Sequence, residues 1–96
     1  LGKSIINGNQ RVLSARLYDA LYFWEEDLST KLENRVQGLQ DVIFHEKLGT
    51  LYNRVIRIKS ISILIAGFVG ANVELVSRAA YLSKADLQTG MVSEFP

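Results

Sequence analysis

Between Asn9 and Leu28 the apolar residues Val12, Leu13, Leu17, Ala20, Leu21, Trp24 and Leu28 recur at three- and four-residue intervals. That period places them on one face of a helix. Asn9 is a suitable start, because its side-chain oxygen can accept from the amides of a first helical turn. Glu25, Glu26 and Asp27 fall near the other end, where the helix dipole disfavours each negative charge by roughly 0.3–1 kcal/mol. Neighbouring helical side chains diverge by about 100°, so these three carboxylates do not converge on a cation. A solvated acidic face is expected.

The rest of the chain reads as further short helices. Thr30 and Glu33 have the spacing of a capping box, opening a short helix with Leu32, Val36 and Leu39 as its apolar stripe. Gly38 and Asp41 weaken its continuation. Val42, Ile43 and Phe44 are expected to form an extended connector packed against the core. From Leu51 to Phe68 two readings compete, since Ile56, Ile58, Ile61, Ile63 and Ile65 also show strand-like alternation. Helix is preferred on length and because Leu51, Val55, Ile58, Ser62 and Ile65 keep the helical period, with Ile61, Leu64 and Phe68 broadening the buried face. Gly67 and Gly70 supply termination. Asn72 with Glu74 then opens a fourth helix through about Lys84, whose Val76, Ala79, Ala80 and Ser83 form a small-residue face. The expected fold class is all-α: a small bundle of four to five helices.

With 96 residues, the core is modest, because a domain of this size buries only roughly 60–65% of the surface its unfolded chain exposes. Hydrophobic content of 48% with 22% charge marks a chain that folds. Eleven basic and ten acidic residues leave a net charge of +1, too little for a general field that attracts polyanions. Any contact with nucleic acid must be a local patch. The chain has no cysteine, which removes disulfides and thiolate metal ligands and suits a reducing compartment. The longest apolar run, Ile61 to Val69, is far short of the ~20 residues a membrane-spanning helix needs. The chain opens on Leu1 rather than methionine, so residue 1 is expected to be a boundary within a longer polypeptide.

Few residues here suggest chemistry. His45 is the only histidine, and beside Glu46 it is expected to fix the turn before the third helix, since a metal site needs several converging ligands. Lys47, Arg54, Arg57 and Lys59 form the densest basic stretch. Arg54 and Arg57 lie three apart, hence on one side of a helix, and are the candidate RNA contacts, able to bracket phosphates. The competing expectation is that they neutralise Glu46, Glu33 or Asp41. Arg11, Arg16 and Arg35 raise the same question. Tyr18, Tyr22, Phe23 and Trp24 offer stacking surfaces, but aromatics on a helix are expected to be core. Gly67, Gly70 and Gly90 are isolated, with no phosphate-cradling loop and no nucleophile elbow. No catalytic, cofactor-binding or metal-binding residue is assigned.

Several words of this sequence resemble one family closely. They are Phe44-His45-Glu46-Lys47-Leu48-Gly49-Thr50, Lys84-Ala85-Asp86-Leu87, Gly90-Met91-Val92-Ser93-Glu94-Phe95-Pro96, Gly8-Asn9-Gln10-Arg11-Val12-Leu13-Ser14-Ala15-Arg16-Leu17 and Phe23-Trp24-Glu25-Glu26-Asp27. Together they resemble the β subunit of the bacterial two-subunit glycyl-tRNA synthetase. The family's β chain is several times longer, so the resemblance implies a piece of a cytoplasmic aminoacyl-tRNA synthetase. It implies adenylate formation, with ATP and magnesium, on the partner α subunit. The β subunit would engage tRNA, with the remaining β-subunit domains as further partners and self-association of the piece as a consequence of exposed apolar surface.

A second resemblance divides the chain into a helical leading segment, residues 1–41, and the first part of a degenerate HD-like helical domain, residues 42–96. In active HD phosphohydrolases a metal-binding histidine opens a pattern similar to Arg54-Val55-Ile56-Arg57-Ile58-Lys59-Ser60-Ile61. Arginine here has no lone pair to donate. The His-Asp pair finds its counterpart in Lys84-Ala85-Asp86, leaving Asp86 without its histidine. The alternatives to tRNA positioning are therefore an HD-type metal-dependent phosphohydrolase, which these replacements disfavour, and a purely structural subunit-interaction module.

Overall fold

The computed structural model describes all residues, Leu1–Pro96. Five α-helices are present: α1 (Gly2–Leu28), α2 (Leu32–Arg35), α3 (Leu51–Val69), α4 (Val73–Leu82) and α5 (Gly90–Glu94). Two 3-10 turns, Val36–Asp41 and Ala85–Gln88, and one small hairpin, β1 (Ile43–His45) with β2 (Gly49–Thr50), complete the chain. The all-α expectation holds, with the hairpin as a minor addition. The strands run antiparallel with Ile43 opposite Thr50 and His45 opposite Gly49, and an irregularity between the two pairs.

Four fully buried side chains make the centre: Val36, Leu39, Val55 and Ala85. Leu51, Tyr52, Tyr81 and Leu82 pack around them. The core thus joins the first 3-10 turn, the start of α3 and the second 3-10 turn, drawing on both sides of residue 41. α3 and α4 lie against one another beside it, and Ala66 and Ala80 are buried there. Small side chains let the two helices approach closely.

α1 stands apart from this arrangement. It contains no buried residue, and the molecule measures 64 × 32 × 26 Å, because 27 helical residues extend roughly 40 Å at 1.5 Å each. The helix begins at Gly2 rather than Asn9. No proline interrupts residues 2–8, and one interior glycine costs only about 1 kcal/mol, so the helix continues through. Tyr18, Tyr22 and Trp24 are exposed, contrary to the core expectation, and only Phe23 is half-buried. The reason lies outside the helix: no element covers that side.

Other boundaries move by a few residues. α2 starts after Lys31, with no side-chain cap bond, so Thr30 and Glu33 do not form a box. Glu33 instead pairs with Arg78 at 3.1 Å. The box forms at α3: Thr50 Oγ1 accepts from the Asn53 amide at 3.2 Å, and Asn53 Oδ1 accepts from the Thr50 amide at 2.9 Å. Gly70 ends α3 in the left-handed region at φ 71°, while Gly67 is inside the helix. α4 ends at Leu82, short of Lys84. Ile61, Leu64 and Phe68 are exposed rather than part of the buried face, and the connector residues Ile43 and Phe44 are exposed strand.

Candidate nucleic-acid interface

The hairpin and the opening turns of α3 form one surface. Thr50 ends β2 and caps α3, so the box that starts the helix also fixes its angle to the strands. Gly49 permits this turn: its φ is 88°, and a Cβ there would lie 2.5 Å from Asn53 Oδ1. The hairpin itself is tightened by His45, whose Nδ1 accepts from the Lys47 amide at 3.1 Å. His45 is exposed and its imidazole serves the turn.

On this frame Arg54 lies with its guanidinium carbon 4.4 Å from the centre of the Phe44 ring, within cation–π range. Arg57, one turn on, donates from Nη1 to the Leu48 carbonyl at 3.1 Å. Neither enters an ion pair. The three ion pairs join Arg16 to Asp19, Arg35 to Asp27 and Arg78 to Glu33, so Glu46, Glu33 and Asp41 do not neutralise this face. Phe44 and Leu48 restrain the two guanidinium groups through a ring face and a carbonyl, and their charge stays available. Lys59 points elsewhere, with its ammonium 5.3 Å from the Tyr81 ring, because a five-residue step turns it about 140° from Arg54. The basic stretch therefore resolves into a pair held by the hairpin, half-buried Arg54 and exposed Arg57, and a half-buried Lys59 turned toward Tyr81 of α4.

Two further arginines have structural partners. Arg16 donates to the Glu94 carbonyl at 3.3 Å and lies 4.4 Å from the Phe95 ring. Arg35 donates to the carbonyls of Gln88 and Asp27 at 3.1 and 3.2 Å and sits 3.5 Å from Asp27 Oδ1. Asp27 is correspondingly mostly withdrawn from solvent, its side chain being 16% exposed. Its carboxylate accepts from the amides of Gly90 and Met91 at 2.8 and 2.9 Å. The Met91 amide above all holds this carboxyl below the usual carboxylate range; burial opposes it, and the Gly90 amide and the Arg35 charge add to the lowering. This clip, which ties α1 to α5 and the second 3-10 turn, was not visible in sequence, since its members are 63 and 64 residues apart. Phe44 was missed for a related reason: only the hairpin brings it back over Arg54.

Asp86 is exposed on the second 3-10 turn, where its backbone carbonyl accepts from the Thr89 hydroxyl at 2.6 Å. No three His, Cys, Asp or Glu side chains gather at one point. His45 lies in the hairpin and Asp86 on the second 3-10 turn, and neither belongs to a converging donor set. No glycine-rich strand-to-helix turn is present to cradle a nucleotide's phosphates, either.

The family model described as glycyl-tRNA synthetase beta subunit matches residues 2–96. The chain belongs to that family. The glycine–tRNA ligase beta subunit of Rhodospirillum centenum is 51% identical over 98 residues, covering 99% of this chain and 14% of the relative. That of Syntrophotalea carbinolica is 52% identical over 89 residues, covering 92% of this chain and 13% of the relative. The Phenylobacterium zucineum subunit is 49% identical, with coverage of 99% and 15%. The chain therefore spans about one-seventh of the length of the curated relatives it matches.

Proposed function

We propose that within a full-length β subunit this stretch is a helical support that positions tRNA for ATP-dependent attachment of glycine. Adenylate formation, with its ATP and magnesium, belongs in this reading to the α subunit, and the enzyme works in the cytoplasm. Residues 42–96 act as the first part of a degenerate HD-like domain, with residues 1–41 as the leading helical segment. Family membership supports the setting. The observation that carries the role is the pair Arg54 and Arg57 on one side of α3, free of ion pairs and held by Phe44 and Leu48. Two guanidinium groups one turn apart can bracket backbone phosphates, which positions an RNA without reading its sequence.

Charge reversal tests this. In the full two-subunit enzyme, Arg54→Glu with Arg57→Glu is expected to weaken tRNA binding and to lower the slope of log affinity against log salt by about 0.7–0.9 for each phosphate no longer neutralised. Unchanged affinity across the salt series removes the role. One observation favours a second reading: the later turns of α3 expose Ile61, Leu64, Ile65 and Phe68, the last 89% exposed. Such a patch suits protein rather than RNA. If charge reversal spares tRNA affinity while Leu64→Glu loosens the α subunit, this face is an interaction module.

A further inference from the structure

We infer that α1 is the seat of an antiparallel helix from the part of the same full-length polypeptide that lies outside these 96 residues. The seat is the stripe Ile6, Leu13, Leu17, Leu21, Trp24 and Leu28. At 3.6 residues per turn these six positions fall within an arc of about 80°, and each is between 52% and 69% exposed. The stripe holds more large apolar side chains than the four-residue core. The body of the molecule does not use it. It meets α1 through Arg16, Phe23 and Asp27, on a face turned about 100° away.

A narrow apolar ridge of this length is the counterpart of another amphipathic helix, packed ridge into groove. The polypeptide to supply it exists, since the matched relatives are about seven times longer than the stretch they share with this chain. A segment of the same chain meets the seat at an effective concentration of order millimolar, whereas a second copy must find it by free association. The direction follows from charge. Lys3, Arg11 and Arg16 occupy the first part of α1 and Asp19, Glu25, Glu26 and Asp27 the last, with no acid in the first turn and no base in the last. This order opposes the helix's own dipole. Lys3 and Glu25 both flank the stripe, within about 90° of its centre. An antiparallel helix brings its positive amide end to Glu25 and its negative carbonyl end to Lys3, offsetting both. The inference stands on family membership and this geometry, independently of any tRNA role.

The test uses the full-length β subunit purified without its partner, with Leu17→Cys or Leu21→Cys labelled by a maleimide and resolved by site in mass spectrometry. Lys31→Cys is the exposed control. Both stripe cysteines are expected to react about 100-fold more slowly than the control, the scale of a protected site that opens only by local unfolding, at every protein concentration. Cross-linking from Lys3 is expected to reach the C-terminal end of the seated helix. Labelling at the control rate overturns the inference. So does protection that vanishes on dilution, which would mean a second copy, or protection that appears only with the α subunit. Because each cysteine replaces a leucine conservatively, unfolding is detected separately as a lowered melting temperature, and the two positions check one another.

Discussion

Gly90 opens α5 at the point where that helix meets α1, and replacing it with alanine sets two effects of opposite sign against each other. Its φ is not positive, so an L residue is allowed, and alanine there gains about 0.4–1 kcal/mol by restricting the unfolded chain. A Cβ at Gly90, however, would lie 2.7 Å from Phe23 Cδ1 and 3.4 Å from Asp27 Oδ1. Carbon atoms prefer about 3.5–4.0 Å, so the ring or α5 must retreat by nearly 1 Å. Overpacking of this kind costs about 1–3 kcal/mol. The clash wins, and Gly90→Ala is expected to destabilise by about 0.5–2 kcal/mol, each kcal/mol lowering Tm by roughly 4–8 °C. Trp24, the only tryptophan, sits next to Phe23 and reports urea unfolding by fluorescence.

The control is a double-mutant cycle. Phe23→Ala alone should cost less than the ~3–5 kcal/mol of a fully buried phenylalanine, because the ring is half-buried. In that background the new methyl has room, so Gly90→Ala becomes neutral or stabilising, by up to about 1 kcal/mol. The coupling energy should then be about 1–3 kcal/mol. Equal costs in the two backgrounds, or stabilisation by Gly90→Ala with Phe23 present, would refute the argument that close approach requires the glycine.

Two other glycines predict opposite signs: Gly67→Ala, inside α3 with nothing within 4 Å of its Cβ, should stabilise by about 0.8–1 kcal/mol. Gly70→Ala, at φ 71°, should destabilise by about 1 kcal/mol or more; thermal melts of both read the difference. Leu39→Ala should cost about 2.7–5 kcal/mol in urea unfolding, because Leu39 is wholly buried in the core, whereas exposed Leu75→Ala should stay within about 0.5 kcal/mol. The Asp27 carboxyl, lowered in the folded chain by the Met91 and Gly90 amides and Arg35, contributes stability above its unfolded value of about 4 that is lost as pH falls through the lower folded value. Asp27→Asn should therefore flatten the stability-versus-pH curve across that acid window, and an unchanged curve would count against the clip.

The period of the apolar residues was enough to read α1, α3 and α4, because those helices repeat a local pattern several times. In α3 the isoleucines imitate strand alternation, yet nineteen residues without a break favour the helix, and the hairpin before it uses only five. Ends were less legible. Gly67 and Gly70 look alike in sequence, and only the second takes the left-handed conformation, where α3 closes with its amide on the Ala66 carbonyl. Thr30 with Glu33 and Thr50 with Asn53 both have the spacing of a reciprocal capping pair. The second forms because β2 delivers Thr50 in extended conformation, while at the first Arg78 takes the Glu33 carboxylate. For the candidate site, Arg54 and Arg57 were legible as one-sided from spacing alone, but Phe44 and the Leu48 carbonyl that hold them were not. Nor was α5, whose five residues are too few to show a period.

The polar character of the α1 clip follows from how the helix divides its faces. Four buried residues form the central cluster, too few to hold a 27-residue helix by apolar contact as well as build the body. If the stripe from Ile6 to Leu28 is committed to another helix, the body must attach along the neighbouring face, where α1 presents Arg16, Ala20, Phe23 and Asp27. Hydrogen bonds are directional and lose strength steeply with misalignment. An attachment made of Asp27 to two α5 amides, Arg35 to two carbonyls and Arg16 to a third therefore fixes the angle of α1 better than the same number of apolar contacts could. The long helix is held along its C-terminal half, from Arg16 to Asp27, in a defined direction, and its stripe is left clear for the helix that covers it.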